Sequence, residues 1–152
     1  MTTESSPGLV QPGPLEWTDS LLLGYPPLDE VHREFVECLN ALHAASDADL
    51  PERLEAFARH ARSHFAQEDR WMTETVFPPR ECHMDEHAAV LASLGEVQQQ
   101  VAAGHCAEAR RLAGALSDWF PKHTAHLDSA LSHWMSKIRW NAKPLVFRRN
   151  LG

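Results

Sequence analysis

Histidines and acidic residues recur in this sequence at the spacing of one helical turn. His64 precedes Glu68 by four residues, and His83 precedes His87 by the same distance. Residues four apart on an α-helix lie on one face with their Cβ atoms about 5–6 Å apart, so each pair is able to hold one metal ion. A single pair of this kind is a weak signal, because one buried histidine is usually explained by core packing. A metal site is indicated only if further ligands converge on these pairs.

Four predicted helical segments each carry ligand-type residues on or beside the apolar face. They are His32 in the first segment, His64 and Glu68 in the second, His83 and His87 in the third, and His123 with Asp128 in the fourth. Burying an unpaired charged group costs several kcal/mol, so a shared cation is the simplest explanation. Seven ligands exceed the share of one transition-metal ion, whereas two ions about 3.5–4 Å apart can share bridging carboxylates. We therefore predict a dinuclear centre, for which imidazole favours first-row metals such as iron and leaves zinc and manganese open.

The helices that must position these residues are indicated by apolar residues recurring every three or four positions. They begin near Leu28, after Pro51, near Glu81 and near Cys106, and the last extends to Ile138. Short breakers separate them at residues 46–50, at residues 77–80 and around Gly104. Because short connections make neighbouring helices antiparallel, we predict an all-α, up-down-up-down antiparallel four-helix bundle.

The spacing of the last two ligands does not fit an ideal helix. His123 and Asp128 are five residues apart, which corresponds to about 140° of rotation. Pro121 removes one backbone hydrogen bond and tends to kink a helix, so we expect a distortion nearby. His126 competes with His123 as a ligand. The other histidines are expected at the surface or at helix edges, namely His43, His60, His105 and His133.

Composition and charge narrow the class of protein. The net charge of −7 argues against a general nucleic-acid binder, which needs a basic face. No apolar run is long enough to cross a membrane, and no secretory signal is evident. The cysteines Cys38, Cys82 and Cys106 lack paired metal-site spacing and fit a reducing compartment. We expect a soluble, cytoplasmic protein.

The chain is expected to contain one folded domain with a short segment on either side. Residues 1–14 carry three prolines and few large apolar groups, so we predict a flexible lead-in. The bundle is assigned to residues 15–138. Residues 139–152 are rich in arginine and lysine and are predicted to form a basic tail packed over the bundle.

The motifs around the ligand-type residues resemble those of the hemerythrin family, especially the single-domain bacterial hemerythrins. "HFAQEDRWM" resembles the family's HFxxEExxM, with Asp69 in place of the second glutamate. "FPPRECHMDEH" resembles YPxxxxHxxxH, and "WFPKH" through Asp128 resembles WLxxHIxxxD. "WTDSLLLGYPPLDEVHREF" resembles the family's opening and has Trp17, Gly24, Asp29 and His32 in register. The resemblance covers residues 17–135, and its motifs together are highly specific.

This resemblance implies a di-iron centre with an oxo or hydroxo bridge that binds dioxygen reversibly. The implied ligands are His83, His87 and His123 on one iron, His32 and His64 on the other, and Glu68 and Asp128 as bridges. The iron with two histidines is the one that keeps a position open for dioxygen. The family pattern also favours His123 over His126.

Five further residues are predicted to line the pocket for dioxygen, namely Trp71, Leu91, Trp119, Phe120 and Thr124. The first four are predicted to exclude water and protons from the bound dioxygen, in addition to ordinary core packing, whereas the Thr124 hydroxyl is able to hydrogen-bond the bound dioxygen or to admit water. Phe120 and Thr124 stand where the family usually has leucine and isoleucine. We therefore expect faster autoxidation than in a relative with those residues.

Other functions fit the same ligands. A di-iron redox enzyme with peroxidase or nitric oxide chemistry, an oxygen sensor and an iron store remain alternatives. A ferritin-like oxidase is disfavoured because the sequence has no Glu-x-x-His motif. "HMDEH" matches a metalloprotease pattern with Glu86 as base, but that reading leaves the other ligand-type residues unexplained. Because only a short tail follows the predicted bundle, an oxygen-binding protein or a partner-dependent switch is favoured over a sensor with its own output domain. A non-enzymatic oxygen-binding protein is expected rather than an enzyme. A reductase or downstream protein is a candidate partner, and the oligomeric state stays open.

Overall fold

The fold is known from a computed structural model that describes residues 13–141. The helices are α1 Pro26–Ala44, α2 Leu50–Glu74, α3 Arg80–Ala102, α4 Cys106–His123 and α5 Ser129–Asn141. A π-helical turn, Thr124–Asp128, joins α4 to α5, and a 3-10 turn, Asp19–Leu21, precedes α1. Within residues 13–141 there is no β-strand, and no helix is long and apolar enough to span a membrane.

The helices pack as the predicted antiparallel four-helix bundle. α1 contacts α2 and α4, α2 contacts α3, and α3 contacts α4, while α5 continues the fourth helix beyond the π-helical turn. The all-α prediction is confirmed. The predicted lead-in and basic tail fall mainly on residues 1–12 and 142–152, which lie outside the described residues.

The helix ends follow the turn residues of the sequence. α1 begins at Pro26 and α2 begins one residue before Pro51, because proline is tolerated in the first turn, where its missing N–H is not needed. α3 ends before Gly104, whose φ of 96° is a left-handed conformation that favours glycine. The start of α1, which was predicted near Leu28, lies two residues earlier, at Pro26.

Two apolar clusters lie above and below a polar layer. The larger contains Phe35, Phe57 and Leu94, and the smaller contains Leu28 and Met72. On α1, His32 lies one turn from a residue of each cluster, and Glu68 lies similarly between the two clusters on α2. The apolar clusters drive the helices together, and the polar layer is carried into the interior with them.

The segment before α1 is fastened to that helix by side chains. The Asp29 carboxylate accepts hydrogen bonds from the backbone N–H groups of Leu23 and Gly24, at 2.8 and 3.0 Å. Asn40 accepts one hydrogen bond from the Leu15 N–H and donates one to the Leu15 carbonyl. These contacts hold residues 15–24 against the bundle.

The expected distortion of the fourth helix is a π-helical turn. The Ser129 N–H donates to the Thr124 carbonyl, five residues earlier. The Ala125 carbonyl, which would accept that N–H in an α-helix, accepts the Ser129 hydroxyl at 2.7 Å instead. A turn with this bonding returns to the same face after five residues. His123 and Asp128 consequently both point into the interior, where each is at most 4% exposed.

Candidate metal centre

The structure brings the seven predicted ligand residues together in the polar layer. Each is between 0 and 4% exposed, and they are His32, His64, Glu68, His83, His87, His123 and Asp128. His126, the competitor of His123, is exposed on the π-helical turn. The π-helical turn therefore directs His123, and not His126, towards the acidic residues.

Glu68 divides its two oxygens between two sets of histidines. Its Oε2 atom lies 2.6 Å from Nε2 of His64 and 3.5 Å from Nε2 of His32. Its Oε1 atom lies 3.4 Å from Nε2 of His83 and 3.2 Å from Nε2 of His87. Glu68 thus stands between histidines of α1 and α2 on one side and histidines of α3 on the other.

Asp128 makes the same division from the opposite wall. Its Oδ2 atom lies 3.1 Å from Nε2 of His32. Its Oδ1 atom lies 2.9 Å from Nε2 of His83 and 3.3 Å from Nε2 of His123. We call His83, His87 and His123 the three-histidine group and His32 and His64 the two-histidine group.

Many of the inward-facing atoms lack a hydrogen bond among the described residues. They are Nε2 of His32, His83, His87 and His123, Oε1 of Glu68 and both carboxylate oxygens of Asp128. Leaving a buried polar atom unsatisfied costs about 1–3 kcal/mol. Cations placed among these nitrogen and oxygen lone pairs would satisfy them together. The arrangement of the ligand atoms, within 4.8 Å of one another in each of two overlapping sets, therefore fits two metal ions.

Without metal, the charges of the cluster depend on protons. Burial lowers the pKa of His32 and of His83, but Asp128 and Glu68 raise it more, to about 9 for each histidine. Burial raises the pKa of Glu68, but His64 and the neighbouring histidines hold it well below its usual value. Burial and Glu68 also raise the pKa of Asp128, which the facing histidines lower overall. Metal binding must displace protons from these histidines, so it weakens as the pH falls.

Two histidines of the three-histidine group have carboxylate partners on their outer nitrogen. Nδ1 of His87 lies 2.8 Å from Oδ1 of Asp69, and Nδ1 of His123 lies 2.8 Å from Oε1 of Glu86. In the sequence, Asp69 stood out only as the replacement for the second glutamate of the HFxxEExxM motif, and Glu86 only as the base of the metalloprotease pattern HMDEH. Glu86 faces the outer side of His123, away from Glu68 and Asp128, so the geometry does not support that protease reading.

The five residues predicted to line the oxygen pocket differ in what they contact. The Phe120 ring meets the His32 ring edge-on at 5.2 Å, and buried Thr124 donates its hydroxyl to the Pro121 carbonyl. Trp119 stacks on His123 at 4.3 Å, in the three-histidine group. Trp71 meets the Tyr25 ring edge-on at 5.6 Å, and Leu91 packs against the larger apolar cluster. Of these five, Phe120 is the one whose ring contacts the two-histidine group.

A residue missed from the sequence completes that side of the cluster. The Phe35 ring stacks on Phe120 at 4.3 Å and meets the His64 ring edge-on at 5.7 Å. The sequence does not single out Phe35, because an aromatic residue on an apolar helix face predicts only core packing. Its place beside His64 becomes visible only when α1 and α2 are packed together.

Sequence comparison with known proteins finds a matching family profile and several similar proteins. The sequence profile described as "Hemerythrin HHE cation binding domain" matches residues 23–133. A bacteriohemerythrin of Ralstonia nicotianae is 39% identical over 123 residues, which are 81% of this chain and 90% of the relative. A bacteriohemerythrin of Stenotrophomonas maltophilia is 30% identical over 76% of this chain and 78% of its own length. One of Pseudomonas paraeruginosa is 29% identical over 82% and 86%.

Proposed function

Because this chain belongs to the hemerythrin family, we propose that its polar layer holds two iron ions and binds dioxygen reversibly. The proposed ligands are the three-histidine group for one ion and the two-histidine group for the other. Glu68 and Asp128 are the proposed bridges. The family binds non-haem iron, and imidazole and carboxylate together are a donor set that iron accepts.

The unequal division of histidines is the observation that carries this proposal. Both carboxylates turn one oxygen towards each group, so they contribute equally to the two positions. The two-histidine group then supplies one donor fewer than the three-histidine group. This deficit leaves room for one small added ligand on the side of His32 and His64, which is the requirement for binding dioxygen without displacing a protein ligand.

Two ferrous ions would together supply the electrons that a bound dioxygen molecule accepts and returns.

The surrounding residues would keep that position dry and apolar. Phe120 and Phe35 stack on each other and cover His32 and His64. Both rings are at most 1% exposed, so they separate the two-histidine group from bulk water. An apolar wall of this kind admits dioxygen while it disfavours charged species.

Reconstitution with ferrous iron tests the proposal. The metal-free protein is loaded under anaerobic conditions, and metal content and visible spectra are measured before oxygen, in oxygen and after its removal. We expect about two irons per chain and a visible band that appears with oxygen and disappears without it. His126→Ala is a matched control, because His126 is exposed, and it should behave like the wild type. His64→Ala should lose the band.

The same preparation separates an oxygen-binding protein from a redox enzyme. Stoichiometric, reversible uptake of dioxygen supports the proposal. Continued consumption of peroxide or nitric oxide in the presence of a reductant would instead assign the centre to catalysis. Uptake of many irons per chain would indicate storage. Failure to bind iron at all would refute the di-iron centre.

A further inference from the structure

His87 and His123 are positioned by a repeated device that uses neighbouring helices. On α2, Phe65 stacks on the His87 ring at 4.1 Å with an interplanar angle of 4°, and Asp69, one turn later, meets its Nδ1 atom. On α3, Glu86 meets Nδ1 of His123. Trp119, one turn before His123 on α4, stacks on that ring at 4.3 Å. Each of these imidazoles therefore has an aromatic face and a carboxylate that fix its orientation.

The two-histidine group has no carboxylate of this kind among the described residues. Nδ1 of His32 and Nδ1 of His64 are buried without a hydrogen-bond partner there. The polar side chain beside His64 is His60, whose ring lies 5.3 Å away, edge-on. The Nε2 atom of His60 is likewise buried without a hydrogen-bond partner among the described residues. The two ends of the cluster thus differ in the charge behind their ligands.

We propose that Asp69 and Glu86 are positioning residues that make the three-histidine group the tighter metal position and the first to be filled. This inference rests on the proposed function, because it assumes that both groups bind metal. A carboxylate on Nδ1 keeps the proton on that nitrogen and frees Nε2 for the metal. It also makes the imidazole a stronger donor and adds negative charge near the cation.

The expected size of the effect follows from other metal sites. Loss of an outer hydrogen-bond partner typically lowers metal affinity by about 10–100-fold. Asp69 and Glu86 are partly exposed, with side chains 31% and 44% accessible, so each contribution belongs towards the lower end of that range. The two-histidine group has no such carboxylate to lose, so its affinity should change little.

Titration of the metal-free protein with Zn²⁺, a redox-inert probe, tests this order of filling. Calorimetry gives the affinity of each step, and NMR of the histidine ring N–H groups reports which imidazoles respond to the first equivalent. The variants are Asp69→Ala and Glu86→Ala, which remove the partner, and Asp69→Asn and Glu86→Gln, which keep an acceptor without charge. Asp69→Glu should restore the affinity. Asp85→Asn, an exposed neighbour of Glu86, is the matched control.

In the wild type, we expect signals of His87 and His123 to change with the first equivalent and those of His32 and His64 with the second. The alanine variants should weaken the first step about 10-fold or more and leave the second unchanged, with smaller losses for Asn and Gln. Equal weakening of both steps would indicate a merely structural role, and unaltered affinities would equally refute the inference. Binding of fewer than two ions by the wild type would instead refute the proposed dinuclear centre. Thermal unfolding of each metal-free variant identifies any that fail to fold. If an alanine variant does not fold, the comparison with wild type uses Asp69→Asn and Glu86→Gln instead.

Discussion

The two buried carboxylates depend on imidazoles for their charged state. Glu68 and Asp128 are each 1% exposed, and an isolated carboxylate in such a place would take up a proton. The histidines that face them hold the pKa of both carboxyl groups below the usual range. Replacing protons with metal ions preserves this balance, because a cation again stands between the imidazoles and the carboxylates.

Thr124 gives a prediction about the lifetime of the oxygenated protein. Its hydroxyl is buried and donates to the Pro121 carbonyl, yet the oxygen keeps lone pairs that can hold a water molecule. Thr124→Ile removes this buried polar atom, which directly follows His123 in the chain. We expect the oxygenated form of Thr124→Ile to decay a few-fold more slowly in air, as followed by its visible band. Thr73→Val, on the exposed face of α2, is the control. Equal or faster decay in Thr124→Ile would contradict this role.

His43 gives a prediction about stability and pH that does not involve the cluster. Burial lowers the pKa of His43 from its usual 6.5, and its Nε2 atom lies 2.8 Å from the Ser117 hydroxyl. Because the folded protein then binds fewer protons than the unfolded chain, this residue reduces stability as the pH falls below about 6.5. His43→Gln should therefore lose less stability between pH 7 and pH 5. Urea unfolding of both metal-free proteins measures the difference, and equal losses would refute it.

The seven inward-facing residues could be found from the sequence, whereas their outer partners could not. Periodicity placed His64 and Glu68 on a buried face because His64 lies two turns after Phe57 and Glu68 lies one turn before Met72. Asp69 and Glu86 lie at the borders of their helix faces and are partly exposed. The sequence pattern around a half-exposed acidic residue is the same whether its side chain faces solvent or a histidine of the next helix. Only the packing of neighbouring helices reveals which is the case.

At the level of the helices, the π-helical turn decides whether the site can form. The five-residue spacing of His123 and Asp128 predicted a distortion, and Pro121 suggested a kink. The sequence did not indicate that the distortion is a π-helical turn. That form depends on which groups donate hydrogen bonds to the carbonyls that lose their α-helical partners. In the structure, the Ser129 hydroxyl takes the Ala125 carbonyl, and the Pro121 carbonyl accepts both the N–H and the hydroxyl of Thr124. The extra residue is thereby accommodated without turning α5 away from the core.

Deleting a residue from the π-helical turn tests this account. Without exposed His126, the turn can close as α-helix, and the aspartate then follows His123 by four residues on the same face. We expect this deletion to retain two metal ions per chain. Deleting exposed Ala115 from the regular part of α4 should abolish binding, because it rotates the following residues by about 100°. Metal content and thermal unfolding measure both. Loss of metal from the His126 deletion alone would contradict the proposed geometry.

In the whole molecule, the polar layer joins all four helices of the bundle between two apolar clusters. α1, α2, α3 and the fourth helix each contribute at least one of the seven residues. Filling the layer with metal therefore links every helix to the others. The bundle itself was predictable because short loops leave few ways to pack four amphipathic helices.

Removal of metal should accordingly lower thermal stability. A ligand that binds only the folded protein stabilises it by about 2.7 kcal/mol when its concentration is 100 times Kd. For a chain of this size, that corresponds to a rise in Tm of roughly 5–10 °C. We expect Zn²⁺ or Fe²⁺ to raise Tm by this amount and EDTA to reverse the rise. Mg²⁺, which prefers oxygen ligands, is the control and should have little effect. An unchanged Tm with Zn²⁺ would argue against a site that connects the helices.

The most direct measurement is anomalous diffraction at the iron edge from crystals of the iron-loaded protein. We predict two anomalous peaks per chain about 3.5–4 Å apart. One should lie beside Nε2 of His83, His87 and His123, the other beside Nε2 of His32 and His64, with Glu68 and Asp128 between them. A single peak, or peaks away from these seven side chains, would contradict a dinuclear centre held by this polar layer.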